Sequence, residues 1–502
     1  MMDSIPEIVN GLPNICGAEA QVAEVMSWRK PVYLPETNLR LDKLEAVFAI
    51  ALHMHQPLIP AGATGGDARG TTNVPFVAGG ADIQSAEMIS NLDYMTRNPN
   101  IGDNHNAPVF AECYARMGDI IPESVAEGRN PRVMLDYSGE LLFGLRKMGR
   151  GDVLERLRTI TCDAGLRKHV EWLGTMWGHA VASSSPLPDL KLHMRAWQQH
   201  FAAIYGWDAL ARVRGFSPPE MHLPNHPDAA YEFVKALKDC GYRWLLVQEH
   251  TVESLDGRGL QEKHLPCRLV ARNSCAAEVS IIALIKTQGS DTKLVAQMQP
   301  FYEALTLKRR TLGGLSIPPI VTQIGDGENG GVMMNEFPPC FRQTIARFGT
   351  EGVVNVTGTE YLEMIEAAGA TDSMLPAIRP IHQGLVFKRI TKWGPGAADE
   401  AIAQLRHENP GFTMDGGSWT NNLSWVRGYE NVLTPMNRLS AEFHAALDNR
   451  NVDTTSHAYR NALFHLLVSQ TSCFRYWGQG MWTDYAREIS RRGSGILTHD
   501  FR

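Results

Sequence analysis

Ala46-Val47-Phe48-Ala49-Ile50-Ala51-Leu52 is a continuous apolar run with no polar alternation. A strand buried on both faces, as in a parallel sheet covered by helices, reads this way. The run ends in His53-Met54-His55-Gln56-Pro57, polar groups placed where a strand leaves the core. Comparable runs recur at 132–137, 169–173, 243–249, 278–285, 318–324 and 352–356, with a short one closing at Gly215-Phe216. Helical spacing lies between them, at 83–97, 108–126 and 187–205. Another helix starts at Asn225-His226-Pro227-Asp228, where a capping residue, a first-turn proline and an acidic residue coincide, and ends at Gly241. These apolar runs, alternating with helices, predict a βα barrel or a doubly wound sheet.

Nearly every run ends in ionisable or amide groups: His55 and Gln56, Asp136, Glu171, Glu220, Gln248 and Asp326. If the strands are parallel, those ends converge on one face, where barrel active sites are built. Two ends are acidic elbows. In Gly215-Phe216-Ser217-Pro218-Pro219-Glu220 two prolines stiffen the approach to one carboxylate. In Ile324-Gly325-Asp326-Gly327-Glu328 a second carboxylate closes an apolar run. Paired carboxylates on separate strand ends suit glycosidic bond cleavage. Taken alone, either elbow also has a structural reading, with Glu220 capping a helix and Asp326 in an ordinary Asp-Gly turn.

The remaining sequence sets bounds. At 502 residues, with 44% hydrophobic and 20% charged residues, the chain has the composition of a soluble globular protein. A net charge of -6 gives no basic face for nucleic acid. Eight scattered cysteines without a CxxC pair point to reduced thiols in a cytoplasm, rather than to zinc or a disulfide framework. No signal peptide and no membrane-length apolar run is read in the sequence. Residues 1–44, interrupted by Pro6, Pro13, Pro31 and Pro35, form an N-terminal extension. Residues 45–385 hold the strand–helix alternation, with a Gly-, Ala- and Thr-rich loop at 61–82 expected to lie over the site. From 386 to 502 the spacing is helical, at 397–407, 433–449, 455–472 and 481–492, so a helical C-terminal domain is expected. Its aromatics, in Gly416-Gly417-Ser418-Trp419 and Cys473-Phe474-Arg475-Tyr476-Trp477, belong to core packing or to a sugar platform.

These motifs, in this order, resemble those of glycoside hydrolase family 57. His55-Gln56-Pro57 matches its His-Gln-Pro motif, and Lys168-His169-Val170-Glu171, with His179 beyond, is similar to its second. Pro219-Glu220 falls on the motif of the nucleophile, and Asp326-Gly327-Glu328 on that of the general acid/base. Gly417-Ser418-Trp419 and Phe474-Arg475-Tyr476-Trp477 are candidates for the fifth. The likeness spans roughly 46–480. It implies an incomplete (β/α)7 TIM-like barrel followed by a helical domain, and retaining action on α-glucans by hydrolysis, glucanotransfer or branching. It further implies Glu220 as nucleophile and Asp326 as acid/base, with sugar contacts from His55, Gln56, Glu171, His179, Glu328, Trp419 and Trp477. Glu328 either raises the pKa of Asp326 or bonds amides in its own turn. The chain departs from the family pattern at Asn329-Gly330-Gly331 and at Met221-His222-Leu223-Pro224.

Two carboxylates complete such a mechanism, so neither cofactor nor metal is expected. Two other classes stay open. His53 and His55 with Asp136 resemble the ligand set of a metal-dependent polysaccharide deacetylase or mannosidase. A catalytically silent carbohydrate-binding protein on the same barrel is the other.

Overall fold

The computed structural model describes residues 3–62, 83–84, 86–287, 292–328, 334–347, 352–420, 424–478 and 480–501. Residues 63–82, most of the loop expected over the site, lie outside them, as do Asn329, Gly330 and Gly331. The described chain is a mixed α/β fold around a central, largely parallel sheet. Its strands are β1 (Ala46–Met54), β2 (Val133–Tyr137), β3 (Val170–Trp172), β4 (Gly215–Phe216), β5 (Trp244–Gln248), β6 (Glu278–Lys286), β7 (Ile320–Asp326) and β8 (Val353–Asn355).

β1 pairs in parallel with β2, and β2 with β3. Gly174 bridges in parallel to Phe216 of β4, which pairs with β5, and β5 with β6. β6 meets β7 at Lys286 and Thr322, and β7 runs beside β1 over its whole length. Parallel pairing therefore leads from β1 through six strands back to β1. β8 flanks the start of β1 at Ala46–Phe48.

Both faces of β1 are buried, as its unbroken apolar run requires. Side chains alternate across a strand, so Val47, Ala49 and Ala51 fall in one apolar cluster with Met134, Leu173, Leu246, Leu284 and Ile324. Phe48, Ile50 and Leu52 fall in the other, against the helices. That parity decides the site. His53 continues the inner series Val47-Ala49-Ala51, Asp136 follows Met134, Lys286 follows Leu284, and Asp326 follows Ile324.

Helices α1 (Gly139–Lys147), α2 (Leu187–Tyr205), α3 (Pro227–Asp239) and α4 (Gly358–Ala367) follow strands of the sheet. Ser138 caps α1 through the Leu141 N–H, and Thr357 with Glu360 forms a capping box on α4. Glu360 also takes the buried Arg132 guanidinium with both carboxylate oxygens, which ties the foot of β2 to α4. The N-terminal residues are tied to the same helix, since Glu363 accepts the backbone N–H groups of Val32, Tyr33 and Leu34 at 2.8 Å each.

Two expectations need correction. The stretch 83–97 contains a strand, Glu87–Ser90, antiparallel to Leu58–Gly62, and only Asn91–Arg97 of a regular helix follows. The sheet also has an antiparallel side layer, where Cys267–Arg272 pairs with β6 and Val252–Ser254 with Ala377–Pro380. These strands are short and half-exposed, and such alternation is weak against the long buried runs.

From 397 onward the regular elements are helices, α5 (Ala397–Glu408), α6 (Glu430–Leu447), α7 (His457–Val468), α8 (Cys473–Tyr476) and α9 (Met481–Asp500). Leu439, Phe443, Phe464 and Ile489 share one apolar cluster with Phe48 and Ile50. The C-terminal helices thus complete the outer core of the sheet. Among the described residues no helix is long and apolar enough to cross a membrane.

Candidate active site

The row of polar strand ends is set by register. Asp326 stands opposite His53, and His53 opposite Asp136, on three adjacent parallel strands. Neighbouring strands lie roughly 4.8 Å apart, so the three functional groups form a line across the top of the sheet. Lys286 ends β6, beside β7. A cavity of about 350 Å³ opens over this line. Its lining includes Glu220, Asp326, His53, Asp136, Lys286, Ser217, Trp419 and Tyr476.

Glu220 reaches the cavity by a strained turn. Pro218 is extended, then Glu220 and Met221 adopt φ of +59° and +49°, in the left-handed region that non-glycine residues rarely occupy. Each such residue costs about 1–3 kcal/mol and persists only where the surroundings hold it. Here the segment 417–419 holds it. Leu223 and Gly417 exchange backbone bonds, and the Trp419 N–H donates to the Glu220 carbonyl at 3.1 Å. The Trp419 indole then donates to Glu220 Oε2 at 2.6 Å. Gly416 makes the close approach possible, because a Cβ there would sit 2.2 Å from His222. Burial pushes the Glu220 carboxyl above its ordinary range, while bonds from Trp419 and Ser472 pull it back.

His53 carries charge. Burial opposes its protonation, but Asp136, at 2.8 Å from Nδ1, overrides that and raises its pKa to about 10. His179 is held neutral by burial and by the neighbouring His55 and His53. Its Nε2 therefore accepts from His53 Nε2 at 2.9 Å, and its Nδ1–H donates to Ser472 Oγ at 2.8 Å. His55, also neutral, stacks on His179 with ring centres 4.0 Å apart. It is held between Ser138 and Thr471. A polar chain thus runs from Asp136 through His53, His179 and Ser472 to Glu220.

Asp326 opens into the cavity. The protein mass around it raises its carboxyl, the His53 cation lowers it, Asp136 raises it and Lys286 lowers it. Lys286 is itself buried, which depresses its pKa to about 8 against the pull of Asp326. Glu328 accepts the His55 N–H, just beyond the end of β1, at 2.7 Å. Burial raises its pKa to about 8, and the Asp326 charge adds to this.

The other expected sugar contacts are placed as follows. His55, Gln56, Glu171 and Trp477 do not line the cavity, whereas Trp419 does. Gln56 is buried and accepts from Asn91. Glu171 faces inward like Leu173, but lower, and accepts the Thr359 N–H at 2.9 Å as well as its hydroxyl. Trp477 is 59% exposed at the end of α8. Both ring nitrogens of His53 are taken by protein partners, and His55 turns to Ser138 and Thr471, so these two and Asp136 do not form a convergent ligand set. Among the described residues, the metal-type side chains drawn together are His226, Asp228 and Asp399. The sequence reading does not single out Lys286, and it holds Tyr476 only within the candidate motif Phe474-Arg475-Tyr476-Trp477. Lys286 obeys the strand-end rule used for the others, and Tyr476 stands one residue before Trp477.

No protein-family model matches the sequence, and no curated protein matches it. Solved structures share the fold. A 4-α-glucanotransferase from Thermococcus litoralis superposes with a TM-score of 0.53 at 16% identity, over 91% of this chain and 60% of that one. This chain therefore spans less than two thirds of the length of that enzyme. A branching enzyme of GH57 type from Pyrococcus horikoshii gives 0.51 at 12% identity, over 91% of this chain and 89% of that one. One from Thermococcus kodakaraensis gives 0.52 at 12% identity over the same shares. At these identities the likeness is one of fold.

Proposed function

We propose that the chain is a retaining glycoside hydrolase or transglycosylase of family 57 type that acts on α-glucans, with the strands as an incomplete (β/α)7 barrel. One observation carries this reading above the others: Glu220 and Asp326 line a single cavity with Trp419 and Tyr476. The fold it shares with the glucanotransferase and the branching enzymes supports the substrate class.

In this mechanism Glu220 attacks the anomeric carbon while Asp326 protonates the leaving oxygen. Asp326 then takes a proton from water or an acceptor hydroxyl, which displaces the sugar from Glu220. The nucleophile must be ionised, and the bonds from Trp419 and Ser472 favour that form. The acid must hold a proton near neutrality, and the surrounding protein and Asp136 favour that form at Asp326. The His53–Asp136 ion pair fixes the charge beside Asp326 without adding net charge. Neutral His179 relays this arrangement to the Ser472 side of Glu220. Residues 386–502 act in this reading as a helical domain that contributes Trp419 and Tyr476 to the site.

The test is incubation of the purified protein with maltooligosaccharides and glycogen, followed by chromatography. Shortened, lengthened or re-linked glucans uphold the proposal. Unchanged substrates from Glu220-intact protein overturn it.

A further inference from the structure

Trp477 is the most exposed large apolar side chain among the described residues, and Tyr476 beside it is 47% exposed. Among the exposed large apolar side chains of the described residues, these two are the pair that adjoin in the chain, and a joined exposed aromatic surface is the kind that serves binding. These rings continue a series that starts inside the cavity. Trp419 and Tyr476, both on its wall, have ring centres 6.4 Å apart. Trp477 stands at right angles to Tyr476 at 5.0 Å, and Trp482 lies nearly parallel to Trp477 at 6.5 Å. Trp482 is braced from behind by Phe474 and Tyr485, which are fully buried. The outer rings are therefore held in place before any ligand arrives.

We propose that Tyr476, Trp477 and Trp482 form an outer platform that receives the chain of an α-glucan as it leaves the cavity. The inference rests on the proposed glucan reading and makes it narrower, because it assigns the site to chains of several glucose units rather than to a disaccharide. The occupant follows from continuity with the cavity and from chemistry. Tyrosine and tryptophan offer wide apolar faces with a polar edge, and a neutral sugar ring presents apolar faces with hydroxyls around them. A ligand longer than the cavity has its next rings over Trp477.

The test is calorimetric titration of the full chain carrying Glu220→Gln, which stops turnover, with maltoheptaose and with maltose. Trp477→Ala and Trp482→Ala are then added singly. The loss of affinity should grow with ligand length, to about five- to tenfold for maltoheptaose and under twofold for maltose, the scale of one aromatic stacking contact. Equal loss for both ligands, or none for either, overturns the platform. So does a sedimentation result in which Trp477→Ala dissolves a dimer while sugar binding is unchanged. Trp477-dependent maltoheptaose binding by a protein that leaves every glucan intact upholds the platform and overturns only the proposed catalysis.

Discussion

Trp419 holds Glu220 twice, by its indole N–H to Oε2 at 2.6 Å and by its backbone N–H to the Glu220 carbonyl at 3.1 Å. The two residues are 199 positions apart, so the C-terminal helical region completes the setting of a carboxylate presented by the sheet. The backbone bond holds a left-handed turn, and the indole bond favours the ionised carboxylate.

Trp419→Phe keeps a ring and removes the indole donor. A hydrogen bond to a charged group contributes about 1.5–3 kcal/mol, so kcat/KM should fall roughly ten- to a hundredfold. The sign of the pH effect is set as well. That bond lowers the Glu220 pKa, and its loss raises it, so the acidic limb of the kcat/KM profile should move to higher pH. A smaller rate with an unmoved limb would mean that Trp419 only contacts sugar.

Asp326→Ala should separate substrates by leaving group. Glucans need protonation of the departing oxygen and should lose about 10²–10⁴-fold, whereas activated aryl α-glucosides should lose little in the first step. The melting temperature should stay within a few degrees, because Asp326 opens into the cavity rather than packing in the core. Equal loss on both substrates would contradict the acid role.

Lys286→Met removes a cation that holds the Asp326 pKa down. The Asp326 pKa should rise, and the basic limb of kcat/KM should move to higher pH. In the unchanged protein that limb also contains the loss of the Lys286 charge near pH 8. An identical profile in both proteins would show that the two groups do not sense one another.

Much of this site was legible because a parallel strand buried on both faces leaves a plain signature. The run Ala46–Leu52 announces β1, and the polar strand ends announce Asp136 and Asp326, whereas at the end of β1 they point to His55 rather than to His53, which stands in line with the two carboxylates. Which of two nearby polar groups faces the cavity was harder to read. His53 and His55 share one parity, yet His55 stands beyond the end of β1 and is drawn to Ser138 and Thr471, while His53 stays over the cavity. Glu171 shares the inner face but sits below, tied to Thr359. The Trp419 contact with Glu220 was beyond sequence reasoning, since no local pattern pairs residues so distant. The half-exposed side strands, such as Cys267–Arg272, were lost against the stronger buried runs.

A stability prediction lies outside the site. Buried Asp189 bonds His444 at 2.6 Å and raises its pKa to about 9, with burial opposing and Asp448 adding to the rise. The folded pKa exceeds the ordinary value of about 6.5, so this stabilisation is fully present below that pH and is lost as pH rises through 9. Denaturant midpoints should therefore drop between pH 6.5 and 10, and His444→Ala should lower the midpoint at pH 6 more than at pH 10. A constant difference across that range would contradict the linkage.

The central claim is that Glu220 forms a covalent bond to sugar while Asp326 handles the proton. It is tested most directly with a fluorinated α-glucosyl fluoride, which forms the glycosyl-enzyme quickly and releases it slowly. Intact-protein mass spectrometry should show the addition of one sugar, and peptide mapping should place it on Glu220. The Glu220→Ala protein should take no label and regain turnover with azide, giving the inverted glycosyl azide. A label on any other residue, or full turnover by Glu220→Ala without azide, would contradict the mechanism.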